Sequence, residues 1–542
     1  MKKKQIVFYI AVLLTRSVLL SAQDIADARQ LIENERYGSA EALLEKNLAN
    51  GTAGPELSYL LVKTYLEQDK KEEAANYVSA YLQPDKGEKT DPLNRIAGAR
   101  YLLNTGKKDE AFTIFNAILA DRKNAKDAGL LLAMAEAVID EDSSSVNKAV
   151  EWLEMARKRE KHQAAIDNAL GTAYRMLNDG NKAYLAFREA IKEEPANPRA
   201  YYLMGKLFVA QQNPQVYLDY FNKAYQLDSG YAPVLEELYH HYYFRDVRIA
   251  RKYLEKFIAS TDHRLQNDYN LADILFLTGD YDKAIRTANG ILSAEQERTK
   301  PRLYKLIAYS YARSGDSSHA RVYMEQYMNK EEDTRKIGAD YRFLGDLTAG
   351  IPGSETNAIA YYTAAAKKDT SEARKAAAAK LIAALWDKLD NKEQAATWLG
   401  NYYRWKENPT NVDLFNWGLA WYKAGNYQLT DSVFSLYTTK YPEDIYGYYW
   451  RAQAGAAIDT AMTDSLAIPH YRKVMELGEK NKDANKRMLL KAYGYLGGYE
   501  ANITKDYAAS LALFEKYNAI EENEEVSRYI ETLRRWIGDK NK

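Results

Sequence analysis

The chain contains no cysteine. That single absence excludes disulfides, thiolate catalysis and cysteine-ligated metal together. Proline numbers 12 and glycine 28 among 542 residues, too few for a loop-built or disordered chain. Histidine is also scarce, at six. His162, His240, His241, His263, His319 and His470 include no pair four residues apart and no His-Glu-x-x-His, so no helix face offers two imidazoles to one metal. His240 and His241 are consecutive, and on a helix they point about 100° apart. No glycine-rich phosphate loop is present, and no cofactor is expected. Net charge is lacking as well, with 75 basic and 75 acidic residues. Nucleic acid wants a basic stripe, so it is not an expected partner.

What is present begins with a leader. Lys2-Lys3-Lys4 precedes the apolar run Ile6 to Leu14, and Ser21-Ala22 supplies small residues for cleavage, the three parts of an export signal. The run is interrupted by Arg16 and falls short of the roughly 20 apolar residues a membrane helix needs. A retained membrane helix is therefore not expected. Residues 1–22 are read as a signal peptide, with the mature chain starting at Gln23. Removing Lys2, Lys3, Lys4 and Arg16 leaves 71 bases against 75 acids, a formal charge of 71 − 75 = −4. With no cysteine to carry a lipid and no later membrane span, the expectation is a periplasmic protein, held at the outer membrane only through partners.

The body of the chain repeats. Residues 164 to 197 carry Leu170-Gly171-x-x-Tyr174, then Ala183, Phe187, Ala190 and Pro195. The next copy starts 34 residues on (198 − 164), with Tyr201, Met204-Gly205, Phe208, Phe221 and Ala224. Small residues allow two helices to approach closely, and the bulky ones fill the space between them. One such hairpin cannot bury its second apolar face, so the next must cover it. Further copies start near 21, 55, 92, 126, 231, 265, 301, 338, 376, 411, 442 and 487, several at a proline (Pro55, Pro92, Pro301, Pro442), where a first helical turn tolerates the missing N–H. No period-two alternation suggests strands. The offsets closely resemble the tetratricopeptide-repeat family, with Asp167 where the family has a leading tryptophan. The resemblance implies an all-α, right-handed superhelical solenoid of about fourteen hairpins. The organisation expected is a leader at 1–22, an array at 23–348 and a continuing array at 349–542. Irregular turns fall near 83–91 and 140–147, and insertions near 349–357 and 459–466.

No catalytic residue is expected. Gly315-Asp316-Ser317-Ser318-His319 superficially resembles a Gly-Asp-Ser esterase element, yet it falls between two helices of a repeat, where a turn and a serine cap account for it. What remains is a surface. In this family the first helix of each hairpin lines a concave groove through its second, fifth, ninth, twelfth and sometimes thirteenth residues. Carried over by register, that gives Asn168, Arg175, Arg199, Tyr202, Lys206, Tyr239, Tyr242, Tyr269 and Phe276. Further along it gives Arg302, Lys305, Tyr309, Arg313, Phe415, Tyr422 and Trp450. Forty-five tyrosines suit either a binding surface or packing between hairpins, and both readings stay open. The family's clamp for a free C-terminal carboxylate is not matched, because Tyr309 and Ala312 stand where it has asparagines. The expected function is a non-catalytic protein–protein interaction scaffold of the bacterial envelope, with protein or peptide partners. The alternative is a carbohydrate-binding protein with an aromatic-lined helical groove.

Overall fold

The computed structural model describes residues 23–51, 54–82 and 90–540; the expected leader and most of the expected turn at 83–91 lie outside them. Among the described residues there is no strand. The chain forms two compact units, Met1–Thr299 and Lys300–Lys542.

Unit 1 is a succession of helical hairpins. Helix α1 (23–33) pairs with α2 (Tyr37–Ala49), α3 (Pro55–Glu67) with α4 (Lys71–Leu82), and α5 (Pro92–Asn104) with α6 (Lys108–Leu119). Then follow α7 (Ala128–Glu141) with α8 (Val146–Arg159), α9 (Ala164–Met176) with α10 (Gly180–Glu193), and α11 (Pro198–Ala210) with α12 (Pro214–Leu227). The unit ends with α13 (Ala232–Tyr243) on α14 (Val247–Ser260) and α15 (Leu265–Leu277) on α16 (Tyr281–Glu295).

Unit 2 continues in the same style. It has α17 (Arg302–Arg313) with α18 (Ser317–Lys330), α19 (Gly338–Ala349) with α20 (Glu355–Lys368), and α21 (Glu372–Lys388) with α22 (Lys392–Trp405). After these come α23 (Asn411–Lys423) with α24 (Tyr427–Lys440), α25 (Ile445–Ile458) with α26 (Ile468–Gly478), and α27 (Lys486–Tyr499) with α28 (Tyr507–Ile520). A final helix, α29 (Glu524–Lys540), covers the last hairpin. The fourteen pairs match the number read from the repeat offsets, and the observed starts differ from the expected ones by a few residues at most.

Local chemistry explains the punctuation. Pro55 and Pro92 each open a first helix at N1 as expected, and Pro198 does the same; Pro301 is instead the N-cap residue of α17. Pro442 does neither; it lies in the turn ahead of α25, and Asp444 caps that helix by accepting from the Tyr446 amide at 3.0 Å. In several turns between paired helices one residue takes a left-handed conformation and the next is Asp or Asn. Asn178-Asp179, Gln212-Asn213, Gly315-Asp316, Asp390-Asn391 and Gly425-Asn426 all follow this rule. The side-chain oxygen of the second residue caps the following helix, which removes an unpaired amide from its first turn. At 315–319 the cap is therefore Asp316 rather than a serine. It accepts from the His319 amide at 3.0 Å and holds the His319 ring at 2.6 Å, and Ser317 is merely the first helical residue.

Packing within a hairpin follows a notch-and-ring pattern. A Cβ on Gly171 would meet the Phe187 ring at 2.3 Å, one on Gly205 the Phe221 ring at 2.4 Å, and one on Gly418 the Phe434 ring at 2.6 Å. Phe187, Phe221 and Phe434 are all fully buried. The glycine exists so that the partner ring can lie against the helix backbone, and any side chain there would displace it.

Candidate functional site

In unit 1 the first helices α3, α5 and α7 meet through buried polar side chains. Arg100, on α5, is wholly buried. It donates from Nη1 to the Tyr59 hydroxyl at 3.0 Å and from Nε to Glu141 at 3.1 Å, and it pairs with Asp140. Lys63, one turn beyond Tyr59 on α3, reaches Asp140 at 2.9 Å. The Tyr59 hydroxyl lies 3.1 Å from Glu136 and 3.2 Å from the Ala133 carbonyl. Burial and the neighbouring Arg100 push the Lys63 amine down to about 8. Burial alone would raise the Glu136 carboxyl, but Lys63, Arg199 and Arg100 draw it below the ordinary range. Buried charges are tolerable when every one is paired in this way. The network consumes the polar groups of the face that three successive hairpins would otherwise present.

The same unit closes on itself. The turn after α1 is held by the connections that precede α13 and α15. Asp262 accepts from the Ser39 amide at 2.9 Å and from its hydroxyl at 2.5 Å, with Arg36 3.7 Å away. Arg264 donates to the Glu35 carbonyl at 2.9 Å and lies over the Tyr37 ring. Arg199 pairs with Glu33 at 2.9 Å, and the Ala232 amide reaches Asn34. Residues more than 160 positions apart in sequence are thus joined within one unit.

Unit 2 has an opening on the face of its first helices. Between α21 and α23, floored by α22, lies a cleft of about 330 Å³. Ala383, Ala384, Ala395, Leu399, Leu419 and Ala420 make its apolar lining, and Lys380, Asp387, Lys392, Asn416 and Lys423 complete it. Asp387 is already paired with Lys392 at 3.0 Å. Lys380 and Lys423 are exposed. Lys380 lies over the Tyr402 ring at 5.8 Å, and neither lysine has a carboxylate partner among the described residues. No group of acidic residues or histidines suited to a metal occurs among those residues, and no helix is long and apolar enough to cross a membrane.

A family model described as "Tetratricopeptide repeat" matches residues 168–232 and 235–297. Those residues are tetratricopeptide repeats. No match to a curated protein was found. A solved structure of the C-terminal part of a tetratricopeptide repeat-containing protein from Cytophaga hutchinsonii is 26% identical, covers 48% of this chain and 98% of its own, and has a TM-score of 0.30. A tetratricopeptide repeat protein from Parabacteroides merdae is 17% identical over 47% of this chain and 97% of its own, with a TM-score of 0.28. Yeast Tom70 is 14% identical over 76% of this chain and 95% of its own, with a TM-score of 0.27. The repeat fold is consistent with a scaffold for protein–protein interaction.

The residues taken from the repeat register fall into three groups. Asn168, Tyr239 and Tyr269 are buried; they serve the interior and are not presented at a surface. Tyr202 stacks on Phe221, Tyr242 on Tyr253, and Tyr309 on Phe343 at 4.3 Å. Phe276 packs on Tyr281. Phe415, Tyr422 and Trp450 come together, with Tyr422 4.8 Å from Trp450 between α23 and α25, and all three stay half-buried. Lys206 is paired with Glu237, and Lys305 with the fully buried Asp340 at 2.5 Å, so Lys305 is committed to the interior. Arg175 and Arg199 are half-buried, while Arg302 and Arg313 are exposed. Missed by that reading were Tyr59, Lys63, Arg100, Lys380, Ala384, Leu419 and Lys423. The signal was available. Tyr59 and Lys63 are fifth and ninth from Pro55, Arg100 is ninth from Pro92, and Lys380 and Ala384 are fifth and ninth from Ala376.

Proposed function

We propose that this protein is an exported, non-catalytic scaffold of the bacterial envelope that holds segments of partner proteins along the first-helix face of unit 2. One observation carries the reading. The register that defines the binding face in tetratricopeptide repeats leads, in unit 2, to the open cleft with its apolar floor and exposed lysines. In unit 1 the same register leads to side chains already paired with one another. A preformed rigid face binds without the entropy cost of ordering a flexible one. Export rests on the lysine-led apolar leader and the small residues before Gln23.

The test is cross-linked capture of the full chain from the native envelope, with cross-links mapped by mass spectrometry and the mature N-terminus read alongside. Specific envelope proteins linked to α21, α23 or α25, on a chain beginning at Gln23, support the reading. An intact leader on a cytoplasmic chain, or the absence of any specific partner, overturns it.

A further inference from the structure

The cleft between α21 and α23 has a composition that selects its occupant. Its floor is built from alanine and leucine side chains, with Leu399 and Leu419 half-buried and Ala384 exposed. At about 330 Å³ it has room for one large aliphatic or aromatic side chain, at the small end of ligand-binding pockets. The rim carries three lysines and one acid, and that acid is cancelled by Lys392. Lys380 on α21 and Lys423 on α23 thus stand on two different helices bordering an apolar hollow, both exposed and both without a carboxylate partner among the described residues. Most lysines in this neighbourhood are spent: Lys375 on Glu372, Lys388 on Glu355 and Lys406 on Asp413. Leaving these two unpaired while their neighbours are neutralised makes the rim a local positive site over an apolar floor.

We infer that this cleft binds an extended acidic peptide segment in which one large apolar side chain, seated on Leu399 and Leu419, is flanked by carboxylates that pair with Lys380 and Lys423. The inference rests on the scaffold reading above and adds the chemistry of the partner. The carboxylates are side-chain ones, internal to the partner's chain. Lys305, the lysine best placed by register for gripping a free C-terminus, is already paired with Asp340, and Asn416 is the only amide side chain bordering this cleft. Capping the partner's C-terminus therefore leaves binding intact.

The test uses the full mature chain and a short fluorescent peptide, amidated at its C-terminus, with a leucine flanked by glutamate and aspartate. Fluorescence polarisation is expected to show saturable binding that weakens with salt. The surface double variant K380Q/K423Q, whose helicity is checked by circular dichroism, is expected to bind about tenfold more weakly. Replacing the peptide's acids with amides, or its leucine with serine, is expected to abolish binding, whereas the free-acid and amidated forms bind alike. Absence of binding, binding unchanged in K380Q/K423Q, or binding that requires the free C-terminus would each overturn the inference. Ala384→Trp, which fills the cleft, separates the two levels. If it abolishes capture of native partners while the acidic peptide never binds, the scaffold reading stands and the acidic class fails. If native capture survives both Ala384→Trp and K380Q/K423Q, the scaffold reading fails for this face as well.

Discussion

Replacing Asp262 with alanine should loosen the first hairpin of unit 1 while leaving the array folded. The carboxylate accepts two hydrogen bonds from Ser39, at 2.9 and 2.5 Å, and draws Arg36 to 3.7 Å. A hydrogen bond to a charged group contributes about 1.5–3 kcal/mol when desolvated. The Asp262 side chain keeps a quarter of its surface in water, where exposed ion pairs fall to below about 1 kcal/mol. A loss of about 1–2 kcal/mol follows, falling on α1 and α2 while the Arg264, Arg199 and Ala232 contacts keep the seam joined. Opening free energies in a repeat array are local, so amide exchange in 23–49 should quicken by about 5- to 30-fold, with α9 and α10 unchanged. Hydrogen exchange read by mass spectrometry resolves these segments. Unchanged exchange in 23–49, or a uniform rise across unit 1, would refute the idea that this contact holds the unit closed. The same carboxyl lies below its ordinary range. Burial opposes this, and the Ser39 hydrogen bonds and Arg36 overcome it. Its stabilising effect is therefore complete above the unfolded pKa of about 3.9 and is lost as pH falls through the lower folded value.

Three further outcomes follow from the packing. Phe187→Ala empties the ring from the Gly171 notch and should cost about 3–5 kcal/mol, seen as a lower urea midpoint for the cooperative unit containing α9 and α10. Arg100→Met leaves Glu141 and Tyr59 without their cation and Asp140 with Lys63 alone, and should cost about 3–5 kcal/mol; a loss below about 1 kcal/mol in chemical denaturation would show that the network is solvated. Asp167 is 2% exposed, and its burial, opposed by Arg157, pushes its carboxyl up to about 6. A raised folded pKa means the folded state favours the neutral acid, so this group destabilises above pH 6 and the penalty fades on acidification towards 4. Asp167→Asn should accordingly be neutral or stabilising by about 1–2 kcal/mol at pH 7, and should flatten the pH dependence of melting between 4 and 6.

Much of the fold was legible because the repeat writes its packing into fixed offsets. Gly171 with Phe187 and Gly205 with Phe221 specify both the hairpin and the closeness of its helices, and the same spacing counts the hairpins. Turn chemistry was equally plain at Asn178-Asp179, though the capping role of Asp316 was credited to a serine beside it. The site was less legible. Register tells which way a side chain faces but not what lies opposite, and opposition is set by how tightly successive first helices close. Around α3, α5 and α7 they close until Tyr59, Lys63, Arg100 and Glu136 meet. Between α21 and α23 they stay apart and leave the cleft. Tyr269 shows the same limit, since its register is that of a groove residue and its surroundings are those of a core.

The account turns on which face is open to a partner, and site-specific photo-cross-linking in living cells reads this directly. A photoreactive residue placed at Ala384, in the cleft of unit 2, should give partner adducts, and one placed at Lys63, within the ion-paired face of unit 1, should give none. Adducts from position 63 with none from position 384 would contradict it.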